Sequence, residues 1–144
     1  MKHSVYFILL AIIAFSCQDN QDPFDEFADK FPQTWKISGW QSQGQAGDSG
    51  FQSITDSSYT YLFKKDGSFL KTVGNESING FFEKEELIFE VGGKRTIYTL
   101  FFPEAKLINS CSANMEGMFI DENGMLVGGS APCDGPSIYL ALVK

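Results

Sequence analysis

Histidine is nearly absent from this chain. The only one, His3, lies in an apolar leader at the N-terminus. Downstream of it the sequence therefore has no Ser-His-Asp or Cys-His nucleophile, no histidine general base and no histidine-bearing zinc site. It also lacks a P-loop, a G-x-S-x-G elbow, a dinucleotide fingerprint and a C-x-x-C pair. We predict that the protein is not an enzyme and has no catalytic residue, metal site or cofactor.

Carboxylates are the alternative source of chemistry. Glu83, Glu85, Glu86 and Glu90 form an acidic group that would suit an enzyme using carboxylates alone. Without a basic partner, however, the pattern is more typical of a strand edge that carries charge against aggregation. The run 121–124, Asp-Glu-Asn-Gly, lacks the remaining ligands of a calcium loop and is interpreted as a turn.

Basic residues are scarce. The chain has 11 Lys and Arg against 18 Asp and Glu, a formal charge of −7, which becomes −8 when Lys2 is removed with the leader. Lys64-Lys65 and Lys94-Arg95 adjoin predicted turns instead of forming a stripe. Nucleic acid and anionic bilayers are bound through Lys and Arg patches, so this balance argues against either as a partner through charge.

The N-terminus predicts export. Lys2 precedes the apolar run Val5–Phe15, and Ala14-Phe15-Ser16 leads into Cys17, which is the pattern of a secretory signal over residues 1–16. The run is shorter than the roughly 20 residues that span a bilayer. Its end resembles the lipobox of bacterial lipoproteins in the looser Bacteroidetes form, with Ala14 in the usual place of leucine. The resemblance implies a diacylated Cys17. The alternative is an ordinary signal peptide that leaves Cys17 free.

Residues 17–22 form an acidic polar tether that precedes one domain at 23–144. In Bacteroidetes, acidic residues after the lipidated cysteine resemble the signal that sends lipoproteins to the outer face of the outer membrane. The alternative is a solvated spacer. We expect a protein anchored to the outer membrane through lipid on Cys17, at the cell surface or else on the periplasmic face.

Two cysteines remain when Cys17 is acylated, Cys111 and Cys133, 22 positions apart. An even count in an oxidising compartment favours a disulfide. A loop of this length would stabilise the fold by about 3 kcal/mol. The alternative is a pair of buried free thiols.

The domain is predicted to be all-β after one short helix. Asp22 and Pro23 are suited to a helix start, Pro32 ends it, and three phenylalanines (Phe24, Phe27 and Phe31) share one face. Eight to ten segments of period two follow, separated by turns such as Asp66-Gly67. In the first, Thr34–Gln41, the residues Trp35, Ile37 and Gly39 share one face and Trp40 lies on the other. Residues 78–82, 86–91 and 105–112 are predicted as three separate strands. Both faces are apolar in 96–102 and 138–143, which favours a small antiparallel up-and-down β-barrel over the alternative, a sandwich.

The motif Trp35-Lys36-Ile37 and the hairpin from Tyr61 to Phe69 resemble those of the lipocalin-like lipoproteins of Bacteroidetes, as does the run 133–136 before the last strand. Gln33 occupies the place of glycine in the lipocalin G-x-W signature. The resemblance implies a barrel whose tryptophan packs on a basic residue, here Arg95 or Lys144, and which holds a small apolar ligand.

The residues that would line such a cavity are aromatic or aliphatic: Trp35, Ile37, Tyr59, Tyr61 and Phe63. Aromatic residues at strand spacing more often form a plain core, which is the alternative. We expect the interior to hold no group that ionises at neutral pH, apart from Arg95 or Lys144 at one end. Two functions follow as hypotheses. One is an anchored, non-catalytic lipocalin-like lipoprotein that binds a small apolar or amphipathic ligand. The other is a surface module with a filled core that recognises an unknown protein or a glycan through 43–50 and 113–117.

Overall fold

The computed structural model describes residues 30–44, 47–48, 50–55, 58–89 and 93–144. Within these ranges the chain is almost entirely β, as predicted, with one short 3-10 helix at Ala131–Cys133. The strands are β1 Gln33–Gly44, β2 Gly47–Asp48, β3 Gln52–Ser53, β4 Thr60–Phe63, β5 Ser68–Val73, β6 Glu76–Phe89, β7 Gly93–Phe101, β8 Met115–Ile120, β9 Leu126–Gly129 and β10 Pro136–Leu142.

Eight of these strands close into a barrel. Each neighbouring pair from β4 to β10 is antiparallel and consecutive, and β1 pairs with β4 on one side and β10 on the other. Closure is direct, since Trp35 pairs with both Tyr61 and Leu142. The short strands β2 and β3 pair with the later part of β1, outside this ring. The predicted up-and-down barrel is confirmed, and the alternative of a sandwich is wrong.

Most predicted strands are present, with two corrections. The segments 78–82 and 86–91, predicted as separate strands, belong to the single long strand β6 up to Phe89. The strand predicted at 105–112 is a loop between β7 and β8, where Leu107 adopts a positive φ of 57°. The Asp66-Gly67 hairpin is as predicted, because Gly67 takes a φ of 79° that suits glycine.

A β-bulge in β1 changes which side chains face inward. The register with β10 shifts between Ile37 and Gly39, so Ile37 and Trp40 lie opposite Leu140 and Ile138, on one face. The period-two pattern had placed Gly39 on the face of Ile37 and Trp40 on the other, which is wrong beyond the bulge. A Cβ on Gly39 would come within 2.3 Å of the Phe51 ring. The position therefore admits only glycine without a local shift.

The barrel has two distinct ends. At the first, called the N-terminal end, the chain enters at Phe31, whose ring packs 5.6 Å from that of Phe82. The opposite end carries the β7–β8 loop and the 3-10 helix. Cys111 and Cys133 lie there with their sulfurs 2.16 Å apart, so the predicted pair is at disulfide distance. The N-terminal helix predicted from Asp22 and Pro23 lies outside the described residues, as do the leader, Cys17 and the tether.

Candidate functional site

The barrel interior is filled by large side chains. Trp35, Tyr61 and Phe63 are at most 1 % exposed and Ile37 is 8 % exposed, so four of the five predicted lining residues lie in the core. Tyr59 is half-buried at the edge of the same cluster. The other fully buried large residues come from the remaining strands: Phe69, Tyr98, Leu100, Met118, Leu126 and Leu140. The five residues are therefore brought together, and what they line is packed with side chains.

An ion pair is buried inside this apolar core. Lys71 on β5 and Glu116 on β8 are 0 % and 1 % exposed, and the Lys71 Nζ lies 2.6 Å from the Glu116 Oε1. Each side chain reaches the interior because it continues the inward face of its strand, Lys71 two residues after Phe69 and Glu116 two before Met118. A buried ammonium and carboxylate are tolerated only when they are paired and hydrogen-bonded.

Two tyrosines extend the pair into a network. The Tyr61 hydroxyl donates to the Glu116 Oε2 over 2.6 Å and lies 3.1 Å from the Tyr59 hydroxyl. Burial, followed by the Tyr59 hydroxyl and the Glu116 carboxylate, raises the pKa of Tyr61 well above its usual value. The Lys71 Nζ also lies 5.0 Å from the Tyr61 ring centroid and 5.1 Å from that of Tyr59, within the range of cation–π attraction.

The β7–β8 loop closes this network from the end opposite the N-terminus. The backbone N–H of Asn109 donates to the Glu116 Oε1, so the carboxylate accepts from the loop as well as from Lys71 and Tyr61. Leu107 and Ile108 pack against the core from the same loop. The disulfide-distance pair ties the loop at Cys111 to the connection between β9 and β10. The loop thus covers this end of the barrel.

This network was not predicted from the sequence. The prediction that only Arg95 or Lys144 would supply an interior base is wrong, because both are exposed and the buried base is Lys71. Arg95 does stack on aromatic rings, at 5.5 Å from Phe89 and 4.7 Å from Phe119. The Trp35 indole donates instead to the Gln33 side chain over 3.2 Å.

A signal for the network was present in the sequence. Lys71 falls on the same period-two face as Phe69, and Glu116 on that of Met118, which marks both charges as inward-facing. Their pairing spans 45 residues, which no local pattern reveals.

The network is a set of paired polar side chains within an apolar interior. The Lys71 ammonium and the Glu116 carboxylate neutralise each other, and the Tyr61 hydroxyl is engaged with the same carboxylate. With the loop in place, these groups satisfy one another's hydrogen bonds inside the barrel and present nothing to solvent. They would meet a ligand only if the loop moved away.

No protein-family model, curated protein or solved structure matches this chain. In the part of the chain that the structure describes, we find no helix with the length and apolar character needed to cross a membrane.

Proposed function

We propose that this protein is a non-catalytic, lipocalin-like lipoprotein, anchored to the outer membrane through Cys17, whose filled barrel acts as a scaffold that presents loops to a protein or glycan partner. The observation that carries the proposal is the packed interior. Large side chains occupy inward positions on β1, β4, β5, β7, β8, β9 and β10, and the Lys71–Glu116 pair is buried among them.

The direction of the anchor supports a role for the opposite loops. The chain enters the barrel at Phe31, so the tether that leads back to Cys17 attaches at the N-terminal end. The β7–β8 loop and the β9–β10 connection lie at the other end, away from the anchor. Ala113 and Asn114, within the predicted recognition segment 113–117, are exposed there. A partner approaching from solution would meet this end first.

The anchor is tested by labelling. Cys17→Ser should abolish palmitate incorporation and leave uncleaved precursor, because the lipoprotein peptidase acts on the acylated cysteine. Two chains are expected, since a single acyl chain gives only marginal attachment. Palmitate incorporation that persisted in Cys17→Ser would overturn the anchoring part of the proposal.

A second candidate, binding of a small amphipathic ligand inside the barrel, is favoured by one observation. The ammonium of Lys71, the carboxylate of Glu116 and the hydroxyls of Tyr59 and Tyr61 converge within an otherwise apolar interior. Such a set would hold the polar end of a ligand if the β7–β8 loop opened. The ligand would have to replace the hydrogen bonds it displaced, or the buried groups would be left unpaired.

The two candidates are separated by a binding experiment on the purified lipoprotein. A fluorescent apolar probe is titrated against it, and native mass spectrometry is used to detect a co-purified small molecule. If the barrel is a filled scaffold, the probe titration gives no saturable signal and the native mass spectrum shows the protein without a bound molecule. Saturable binding that Tyr61→Ala changes, with the exposed Phe81→Ala as a control for non-specific adsorption, would favour the ligand-binding candidate instead.

A further inference from the structure

Two aromatic rings lie together on the outer wall of the barrel, where the chain before β3 reaches across β1 to β10. The side chain of Tyr139 points outward, because its neighbours in β10, Ile138 and Leu140, are buried in the core. The Phe51 ring stands edge-on to the Tyr139 ring, with the centroids 5.4 Å apart and the planes at 82°. Phe51 is 50 % exposed and Tyr139 is half-buried. We call these two rings the aromatic platform.

The aromatic platform is held in place by its surroundings. Gly39 lies directly beneath the Phe51 ring and has no side chain to push it away. The Tyr139 hydroxyl donates to the Gln41 side-chain oxygen over 3.0 Å. The backbone N–H of Ile54 donates to β1 over 2.8 Å and ties down the chain that follows Phe51. Rings that are already fixed lose little conformational entropy when a ligand stacks on them.

The segments that build the platform carry no charge. A fifth of the chain is charged, yet residues 37–42, 50–55 and 135–143 contain no Lys, Arg, Asp or Glu. The charges that border these segments in the sequence are of both signs: Lys36, Asp48, Asp56, Asp134 and Lys144. A ligand on the platform therefore gains little from a field of one sign, which favours a neutral ligand.

A neutral sugar has the chemistry that such a surface recognises. The face of an aromatic ring is electron-rich, and the C–H groups on one face of a pyranose ring are weakly positive, so the two surfaces attract when they stack. Ser53 pairs with Gly39 in the ladder between β1 and β3 and is exposed, so its hydroxyl lies next to the platform. Hydroxyl groups of this kind can hydrogen-bond to the hydroxyls of a sugar.

The platform is small for a stable protein interface. Such an interface buries about 800 Å² on each partner, around an apolar centre. Among the described residues, the other exposed large apolar side chains lie on β6 and β8, at Val143 or, for Trp40, on the opposite face of β1. Two adjacent aromatic rings match one or two sugar rings in size.

We propose that the aromatic platform of Phe51 and Tyr139 binds a neutral glycan, with a sugar ring stacked on the exposed face of Phe51. This rests on the proposed function and selects the glycan from its two kinds of partner. The platform lies toward the end of the barrel opposite the anchor, since Ser42 pairs with Pro136 beside the β9–β10 connection. A glycan that approaches from solution meets this end first.

The test measures binding of neutral hexasaccharides to the acylated full-length protein by isothermal titration calorimetry, in a detergent that contains no sugar. Cellohexaose, maltohexaose and mannohexaose are the probes, and hexagalacturonate is the charged control. Phe51→Leu keeps an apolar cover over Gly39 but removes the ring face, so it should weaken binding of the preferred hexasaccharide about tenfold. Phe51→Tyr keeps the ring and should change the Kd by less than about twofold. Phe81→Leu, a phenylalanine 71 % exposed on β6, should do the same and is the matched control.

Mass spectrometry of each preparation lets the two proposals fail separately. Protein without acyl chains on Cys17 refutes the proposed anchor. Acylated protein that binds none of the three neutral probes at about 10 mM, well above a weak Kd of about 1 mM, overturns the glycan inference alone.

Three other results also overturn the glycan inference. One is a preference for hexagalacturonate over the neutral probes. Another is binding that Phe51→Leu leaves unchanged or that Phe81→Leu weakens equally. The third is a photoreactive phenylalanine analogue at position 51 that cross-links to a protein on intact cells while the neutral probes do not bind, which would assign the platform to a protein partner.

Discussion

Replacing Glu116 by glutamine should destabilise the barrel more than any comparable change at an exposed charge. The carboxylate accepts from the Lys71 ammonium, the Tyr61 hydroxyl and the Asn109 backbone, all within a core that excludes water. Glu116→Gln keeps the shape but removes the charge, and turns one acceptor into a donor that faces other donors. Lys71 is then a buried cation without a counter-ion.

The expected loss is about 3–5 kcal/mol, the usual cost of removing one partner of a buried ion pair. This is a large part of the 5–15 kcal/mol that typically separates a folded domain from its unfolded state. With a urea m-value of about 2 kcal/mol/M, the midpoint of unfolding should fall by roughly 2 M. The double variant Lys71→Met/Glu116→Leu should lose less than Glu116→Gln alone. It buries no charge. The Asn109 N–H loses its acceptor at a cost of about 1–3 kcal/mol, and the Tyr61 hydroxyl, which also loses Glu116, can donate to the Tyr59 hydroxyl instead.

The matched control is the exposed pair of Lys106 and Glu76. Its charged atoms lie 3.8 Å apart, with side chains 44 % and 60 % exposed. Glu76→Gln should cost less than about 1 kcal/mol, since water already screens that pair. Equal midpoints for Glu116→Gln and Glu76→Gln would refute the reasoning. They would mean that the interior network exchanges with solvent, as a mobile β7–β8 loop would allow.

Three further outcomes are expected. Above about pH 10 the unfolded chain releases the Tyr61 proton while the folded protein retains it, so the free energy of unfolding should fall by up to about 1.4 kcal/mol per pH unit. Tyr61→Phe, although less stable at neutral pH, should show a smaller loss of stability with rising pH in urea titrations. An equal loss in the two proteins would contradict the raised pKa of Tyr61. Cys111→Ser/Cys133→Ser should lower the free energy of unfolding by about 3 kcal/mol, and quantitative alkylation of both thiols in the unreduced, denatured native protein would show that no disulfide forms. Gly80→Ala should lower the melting temperature, because its Cβ would come within 2.2 Å of a backbone oxygen. Gly117→Ala should leave it unchanged, because a Cβ there would meet nothing within 4 Å. Equal melting temperatures would show that the backbone around Gly80 shifts to make room for the methyl group.

The barrel itself could be predicted because its signals are local. Apolar residues at every second position predict strands, and pairs such as Asp66-Gly67 predict the turns between them. Each signal lies within a short segment, and the structure has strands at nearly all of these segments. The bulge after Ile37 could not be predicted, because it depends on how β1 pairs with β10, where Gly39 lies opposite Tyr139, 100 residues later in the chain. Local patterning also divided β6 in two, because Glu83 and Glu85 suggest a turn until pairing with β7 is known.

The candidate site was only half accessible from sequence. The aromatic residues Trp35, Tyr61 and Phe63 could be identified as inward-facing from their spacing, because burial of rings on alternate positions is the usual way a barrel is filled. Lys71 and Glu116 were passed over, since each charge alone would be costly inside and only their meeting across the barrel makes burial tolerable. A pairing between residues so far apart in the chain can be recognised only once the tertiary structure is known.

The pairing of β1 with β10 has a consequence for how the chain must be made. Trp35 meets Leu142, so the first and last strands of the ring are the two that shut it. A nascent chain that still lacks Ile138 and Leu140 carries a sheet with two open edges, along β1 and β9, and an interior that is not fully covered. The ring therefore closes only when β10 is present, because β10 pairs with β1 on one side and with β9 on the other.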